Sequence, residues 1–178
     1  LLETNGYLVI DSDSKHALII DAPSDVSPLF ASAIAERGLT IYAIVITHAH
    51  WDHIGDTARL QRYLGVPVLA HTNVVDRMAK PGNGLPVEIA PSTPDTLIGE
   101  GDTVTLGGHS FDVLFLPGHD PGHIVLYSAP DAVVLGGDVL FPGGHGRIDI
   151  PRASETDMIA SLRRLAALPD NVTVYPGH

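Results

Sequence analysis

The feature that most constrains this chain is an apolar run from Ile41 to Thr47 that leads directly into His48-Ala49-His50-Trp51-Asp52-His53. An uninterrupted apolar run of strand length is what a strand covered on both faces requires, rather than the alternation of a half-exposed one. The ionisable cluster therefore belongs to the loop at that strand's carboxyl end. Alternate residues of an extended segment point the same way, so His48 and His50 can offer two imidazoles to one ion. Asp52 and His53 turn out of that line and can serve a second ion nearby. Imidazole and carboxylate suit zinc, iron or manganese. A single histidine in such a loop is unremarkable; four ionisable side chains within six positions are not.

Three later segments have the same character. In Leu116-Pro117-Gly118-His119-Asp120-Pro121-Gly122-His123 a strand ends in a Pro-Gly turn. The flanking Pro and Gly argue against a helix despite the four-residue spacing of the histidines. On these grounds His119 and His123 are equivalent candidates. In Val134-Leu135-Gly136-Gly137-Asp138-Val139-Leu140-Phe141 one aspartate interrupts a strongly apolar stretch, and a carboxylate there needs a cation or hydrogen-bond donors. The chain closes on Tyr175-Pro176-Gly177-His178, another histidine at the end of an apolar run.

Composition narrows the chemistry. The sequence has no cysteine, so thiolate ligands and disulfides are excluded and any metal must be held by nitrogen and oxygen. Ten Lys and Arg against twenty-one Asp and Glu give a formal net charge of −11, which offers a nucleic-acid backbone little electrostatic attraction. No basic-then-apolar leader and no bilayer-length apolar run is present, so a cytoplasmic enzyme with no membrane association is the default expectation. Eighteen Gly and fourteen Pro are dispersed between apolar runs, the pattern of many short elements joined by tight turns.

Periodicity predicts a hairpin from Gly6–Asp11 and His16–Asp21, a helix over Ser27–Gly38, and the strand Ile41–Thr47. A helix over Ile54–Leu64 closed by Gly65, a strand Val66–His71 and a short helix Asn73–Lys80 follow. Pro81–Glu100 reads as a loop or flap. Strands are expected at Thr103–Leu106, Ser110–Leu116, Ile124–Ser128, Ala132–Gly136 and Val172–Tyr175. Glu155–Leu168 is a helix capped by Ser154. One domain over residues 1–178 accommodates these elements. Two packed sheets with helices outside and a single wound sheet satisfy the order equally well.

Taken together, Thr47 to His53, Pro117-Gly118-His119, Gly137-Asp138 and Pro176-Gly177-His178 resemble the metallo-β-lactamase superfamily along nearly the whole chain. The resemblance implies an α/β fold, the αββα sandwich, with two packed mixed β-sheets, helices outside and metals at one edge. Carried over by position, it implies that His48, His50 and His119 bind one metal, that Asp52, His53 and His178 bind the other, and that Asp138 bridges the two. It is the resemblance that selects His119 over His123.

Within the superfamily the chain looks most like the glyoxalase II group, through Pro117 to Ile124, Gly137 to Phe141 and Gly143-Gly144-His145-Gly146-Arg147-Ile148-Asp149. This implies a dinuclear hydrolase acting on small-molecule thioesters of glutathione or related esters. Two divalent ions, zinc first with iron or manganese as alternatives, would activate the water. Asp52 is the candidate for orienting that water. Arg147 either meets a substrate carboxylate or ties its loop to Asp149. That group continues past the position of His178 with a glutathione-binding helical extension, so either the domain is truncated at its C-terminus or the substrate is something else. The persulfide dioxygenases of the same superfamily supply a rival, with one iron on His48 or His50, His119 and Asp138. Phosphodiester cleavage and a metal-binding module without catalysis are the remaining alternatives. Oligomeric state is not indicated.

Overall fold

The computed structural model describes residues 2–82 and 84–178. Strands β1 (Tyr7–Ile10) and β2 (His16–Ile20) form the expected antiparallel hairpin. Helix α1 (Ser27–Arg37) follows, with Pro28 in its first turn and Gly38 closing it in the left-handed region at φ 63°. Strand β3 (Thr40–Val45) then runs parallel to β2. Beyond it come α2 (Trp51–Ile54), α3 (Thr57–Leu64), β4 (Val68–Ala70), a 3₁₀ turn at Thr72–Val74 and α4 (Val75–Ala79). The second half comprises β5 (Thr96–Leu97), β6 (Thr103–Leu106), β7 (His109–Phe115), β8 (Ile124–Ser128), β9 (Val133–Gly137), α5 (Glu155–Ala166) and β10 (Thr173–Pro176).

The strands form two five-stranded sheets, ordered β1-β2-β3-β4-β5 and β10-β9-β8-β7-β6. Both are mixed: only β1 is antiparallel in the first, and only the β10–β9 pair is parallel in the second. The period of two along the strands explains how the layers stack. Ala17 and Ile19 of β2 and Ile41 and Ile44 of β3 pack with Phe30 of α1 and Leu60 of α3. Their alternates Leu18, Ile20, Ala43 and Val45 meet Phe111, Val113, Leu126 and Leu135 of the other sheet. Val125 and Val134 face outward from that sheet onto Met158 and Leu165 of α5. The architecture is therefore the αββα sandwich.

Two expectations need correction. The helix expected over Ile54–Leu64 is interrupted after Ile54. Ala22, on the loop after β2, takes the backbone groups that would continue it: its N–H donates to His53 O, and its carbonyl accepts from Asp56 N. The segment expected as a flap, residues 81–100, carries the two-residue strand β5, which pairs with β4 and completes the first sheet.

Candidate metal centre

The cluster forms where strand ends of the two sheets meet. Ile124 N donates to Thr47 O, tying the start of β8 to the loop after β3, and Gly177 N donates to Gly137 O. These bonds bring His48 and His53, both fully buried, against Asp138, which is 4% exposed. The Asp138 carboxylate lies 3.9 Å from His48 Nε2, 3.2 Å from His53 Nε2, and 3.3 Å from both His119 Nε2 and His178 Nε2. Two groups of three side chains converge beside it, His48, His50 and His119, and Asp52, His53 and His178, the ligand atoms of each group lying within 4.8 Å of one another. All seven residues that the sequence singled out as ligands thus lie within one cluster.

Electrostatics follows from burial and from Asp138. Burial, reinforced by neighbouring imidazoles, pushes His48 well below the ordinary histidine range. Burial likewise lowers His50 to about 4. At His53 burial also opposes the charged form, but the Asp21 and Asp138 carboxylates outweigh it and raise the group to about 10. His178 is raised to about 10 by Asp138 and Asp52. For Asp52 the cost of burial is outweighed by His178 and His53, which hold it at about 2, and Asp138 is lowered further by His178 and His53. The arrangement is a pair of anions surrounded by imidazoles.

The donor set fits a metal ion. His48 Nε2, His53 Nε2 and Asp138 Oδ1 are buried and have no hydrogen-bond partner, a costly state for polar atoms unless a cation is their partner. The far side of each imidazole is held instead. Thr47 Oγ1, which donates to Asp21 Oδ2 at 2.7 Å, accepts from His48 Nδ1 at 3.0 Å. His53 Nδ1 donates to Asp21 Oδ2 at 2.8 Å, His119 Nδ1 to Arg147 O at 2.8 Å and His178 Nδ1 to Leu2 O at 2.9 Å. Outer partners of this kind fix tautomer and ring orientation in metal sites. Asp21 also falls within reach of His48 and His53 as a third possible group. Its oxygens, however, already accept from Thr47 N, Thr47 Oγ1 and His53 Nδ1, which makes it an orienting carboxylate.

His123 takes a different place from His119. It is fully buried behind the cluster, and its Nε2 accepts from Asp138 N at 2.9 Å. Burial holds it neutral, at about 3. His71 stacks on Phe115 at 4.5 Å and caps the 3₁₀ turn, away from the cluster. The Arg147 fork is held by Asp149 at 2.8 and 3.0 Å, and the residue also lines the cleft.

Asp21, Thr4, Arg77 and Asp120 were not singled out from the sequence, and His123, a candidate there, has an orienting place instead. Each acts by contact with a residue distant along the chain or by an orientation no motif specifies. Asp120 was at least visible as a carboxylate inside the Pro-Gly motif. A cleft of about 670 Å³ opens over the cluster, with Trp51, Ile54, Leu85, Phe141 and Ile150 as apolar wall and Arg77, Arg147 and Arg152 as its cations. Trp51 is thus pocket wall.

An αββα sandwich with a histidine–aspartate cluster at the strand ends defines a class of metal-dependent enzymes. The chain belongs to the metallo-beta-lactamase superfamily, whose sequence profile matches residues 1–178. It is 36% identical to hydroxyacylglutathione hydrolase GloC of Haemophilus influenzae, over 99% of this chain and 85% of that one. It is 34% identical to a hydroxyacylglutathione hydrolase of Synechococcus, over 97% of this chain but only 63% of that one. Among solved structures, TTHA1623 in a di-iron-bound form is similar at TM-score 0.87 and 37% identity, covering 99% of this chain and 88% of that one. ETHE1 from Myxococcus xanthus is similar at TM-score 0.83 and 30% identity, covering 98% and 70%. Among the described residues, no helix is long and apolar enough to cross a membrane.

Proposed function

We propose that this protein is a dinuclear metal-dependent hydrolase acting on thioesters of glutathione or a related small thiol. The observation that carries the reading is the convergence of two three-residue groups, with members of both in reach of one buried carboxylate. In this reading His48 Nε2, His50 Nδ1 and His119 Nε2 hold one ion, Asp52, His53 and His178 the other, and Asp138 lies between them. The similarity to two hydroxyacylglutathione hydrolases supports the substrate class. Zinc, iron and manganese all suit an all-nitrogen-and-oxygen set.

The chemistry that bound cations supply is Lewis-acid: activation of water near neutral pH and polarisation of a carbonyl oxygen. The protein's own contribution is position. Asp52 Oδ2, fixed by Thr4 Oγ1 at 2.8 Å, faces the cleft and orients the attacking water. Trp51, Phe141 and Ile150 seat the acyl group and shield the reacting carbonyl from bulk water. Arg152 and Arg147 offer positive charge to substrate carboxylates at the mouth. A thiolate leaves readily, so no residue is needed to protonate it.

The test is elemental mass spectrometry of protein purified without chelators or added metal, followed by assay with a hydroxyacylglutathione thioester. About two ions per chain and thioester hydrolysis are expected. Asp138→Ala should lower both occupancy and turnover, the latter by about 10²–10³-fold, the scale of losing one preorganised charged group. Wild-type-like turnover in that variant rejects the bridging assignment. The similarity to ETHE1 favours a second reading, a mononuclear iron persulfide dioxygenase. One iron per chain with persulfide-dependent oxygen consumption would establish it, although a complete Asp52, His53 and His178 group speaks for two ions.

A further inference from the structure

Four of the five imidazoles in the two ligand groups share one arrangement: one nitrogen faces the cluster and the other is held from behind. Thr47 holds His48, Asp21 holds His53, the Arg147 carbonyl holds His119 and the Leu2 carbonyl holds His178. The fifth is His50. Its Nδ1 faces inward, 2.8 Å from His119 Nε2, which leaves Nε2 as its outer nitrogen. The group beyond that nitrogen is the Asp120 carboxylate, with Oδ2 at 3.8 Å. The separation is too long for a hydrogen bond in itself, but it places a carboxylate oxygen where the other four rings have an oxygen acceptor.

Asp120 is fully buried and does not stand alone. Arg77 of α4 grips it in a fork, Nη1 donating to Oδ2 and Nη2 to Oδ1 at 2.6 Å, and Gly122 N donates to Oδ1 at 2.7 Å. A buried ion pair is seldom retained for stability, because desolvating both charges offsets most of their attraction. Here the fork locks a carboxylate between the β7–β8 loop and α4 and aims its Oδ2 at one histidine. Arg77 lines the cleft while both arms of its fork are taken by Asp120.

We infer that Asp120, clamped by Arg77, is the positioning carboxylate of His50, turning its Nδ1 toward the ion shared with His48 and His119. The inference rests on the dinuclear reading above. It separates the two positions: Asp120 and Arg77 serve the His48, His50 and His119 position and, among the described residues, make no hydrogen bond or ion pair with Asp52, His53 or His178. A pair that merely pins α4 to the loop would lower stability without distinguishing between them.

The experiment is competitive titration of the full chain with Co(II) against a chromophoric chelator, following the cobalt absorption bands. It compares wild type, Asp120→Asn, the double variant Arg77→Met/Asp120→Leu, and His50→Ala and His178→Ala as signatures of each position. Asp120→Asn keeps the shape and removes the charge. The double variant removes both charges and keeps the fold accessible should an unmatched Arg77 impair it. The expected result is a roughly 10–100-fold weaker affinity at the position lost in His50→Ala, the usual scale for an outer partner of a metal-bound histidine. The position lost in His178→Ala should keep its affinity and bands. Equal weakening at both positions, or wild-type binding in folded variants, overturns the inference while leaving the dinuclear reading intact. Wild-type protein that binds no cobalt overturns that reading and this inference with it.

Discussion

Asp138 can gather four imidazoles only because nothing occupies the space on its far side. That space belongs to Gly177, where an added Cβ would lie 2.0 Å from Asp138 Oδ1 and 2.8 Å from His53 Cε1. Neither atom can retreat cheaply: His53 is fully buried and its ring is fixed by Asp21. Gly177→Ala should therefore displace the carboxylate while leaving the sandwich folded. The expected outcome is fewer than two bound ions by elemental analysis, and a loss of turnover approaching that of Asp138→Ala, beside an unchanged far-ultraviolet circular dichroism spectrum. Wild-type metal content in this variant would show that the carboxylate has more freedom than its contacts imply. At this scale the sequence was informative where donors cluster in a short motif, as from His48 to His53, and silent where an orienting group comes from afar. Asp21 reaches His53 across 32 positions and Thr4 reaches Asp52 across 48. Nothing in the spacing of either residue marks it as a partner. Nor does spacing distinguish the places of His119 and His123: the first lines the cleft and the second lies behind Asp138.

Among the elements, α2 is the one that periodicity misjudged, and the reason is local. Apolar spacing from Ile54 to Leu64 favours one helix, but Ala22 captures the backbone of His53 and Asp56, and the Asp56 carboxylate accepts from Ser27 N at 2.8 Å. Gly55 sits at the break against the loop after β2, and a Cβ there would meet Ser24 Oγ at 2.2 Å and Ser24 N at 2.6 Å. Gly55→Ala must push α2 or that loop aside. The expected cost is about 1–3 kcal/mol in urea unfolding, the scale of overpacking a tight contact. A loss under about 0.5 kcal/mol, as for an ordinary surface change, would mean the loop yields freely. A second element-level pair joins β7 to the turn before β9, where His109 Nδ1 donates to the Asp131 carboxylate at 3.0 Å. Asp131 raises His109 above the ordinary value of 6.5, so this contribution is complete below that pH and is lost as pH rises through the raised value. Asp131 is lowered, first by Ser128 and then by His109, so its share is lost only in acid. The pair is partly exposed and its effect correspondingly small. Between pH 6 and pH 9, His109→Gln should lose less Tm than wild type, by no more than about 2–4 °C. Parallel Tm–pH curves would remove the pair from the stability balance.

Across the whole molecule, the cluster joins two sheets whose facing surfaces are mainly apolar. His48, His50, Asp52 and His53 follow β3 of the first sheet, whereas His119, Asp138 and His178 follow β7, β9 and β10 of the second. Periodicity could not assign strands to sheets, because Leu18 and Ile20 look the same facing another sheet as facing a helix. The division is set at residues 96–103, where the two-residue β5 closes one sheet and β6 opens the next. The motifs at the strand ends identified the superfamily and, through it, the sandwich. A centre assembled from both halves has no counterpart in the unfolded chain, so metal binding and folding are linked. Each ion present at about 100 times its Kd should add about 2.7 kcal/mol to stability. For a domain of this length that corresponds to about 5–11 °C in Tm per site. Removing metal with a chelator should lower Tm by that order, and titrating zinc, iron(II) or manganese back should raise it with free-ion concentration. The metal that restores Tm at the lowest concentration should also restore thioester hydrolysis. A chain that loses its metal by elemental analysis and keeps its Tm would have sheets that hold their register without the centre, which would then contribute to chemistry alone.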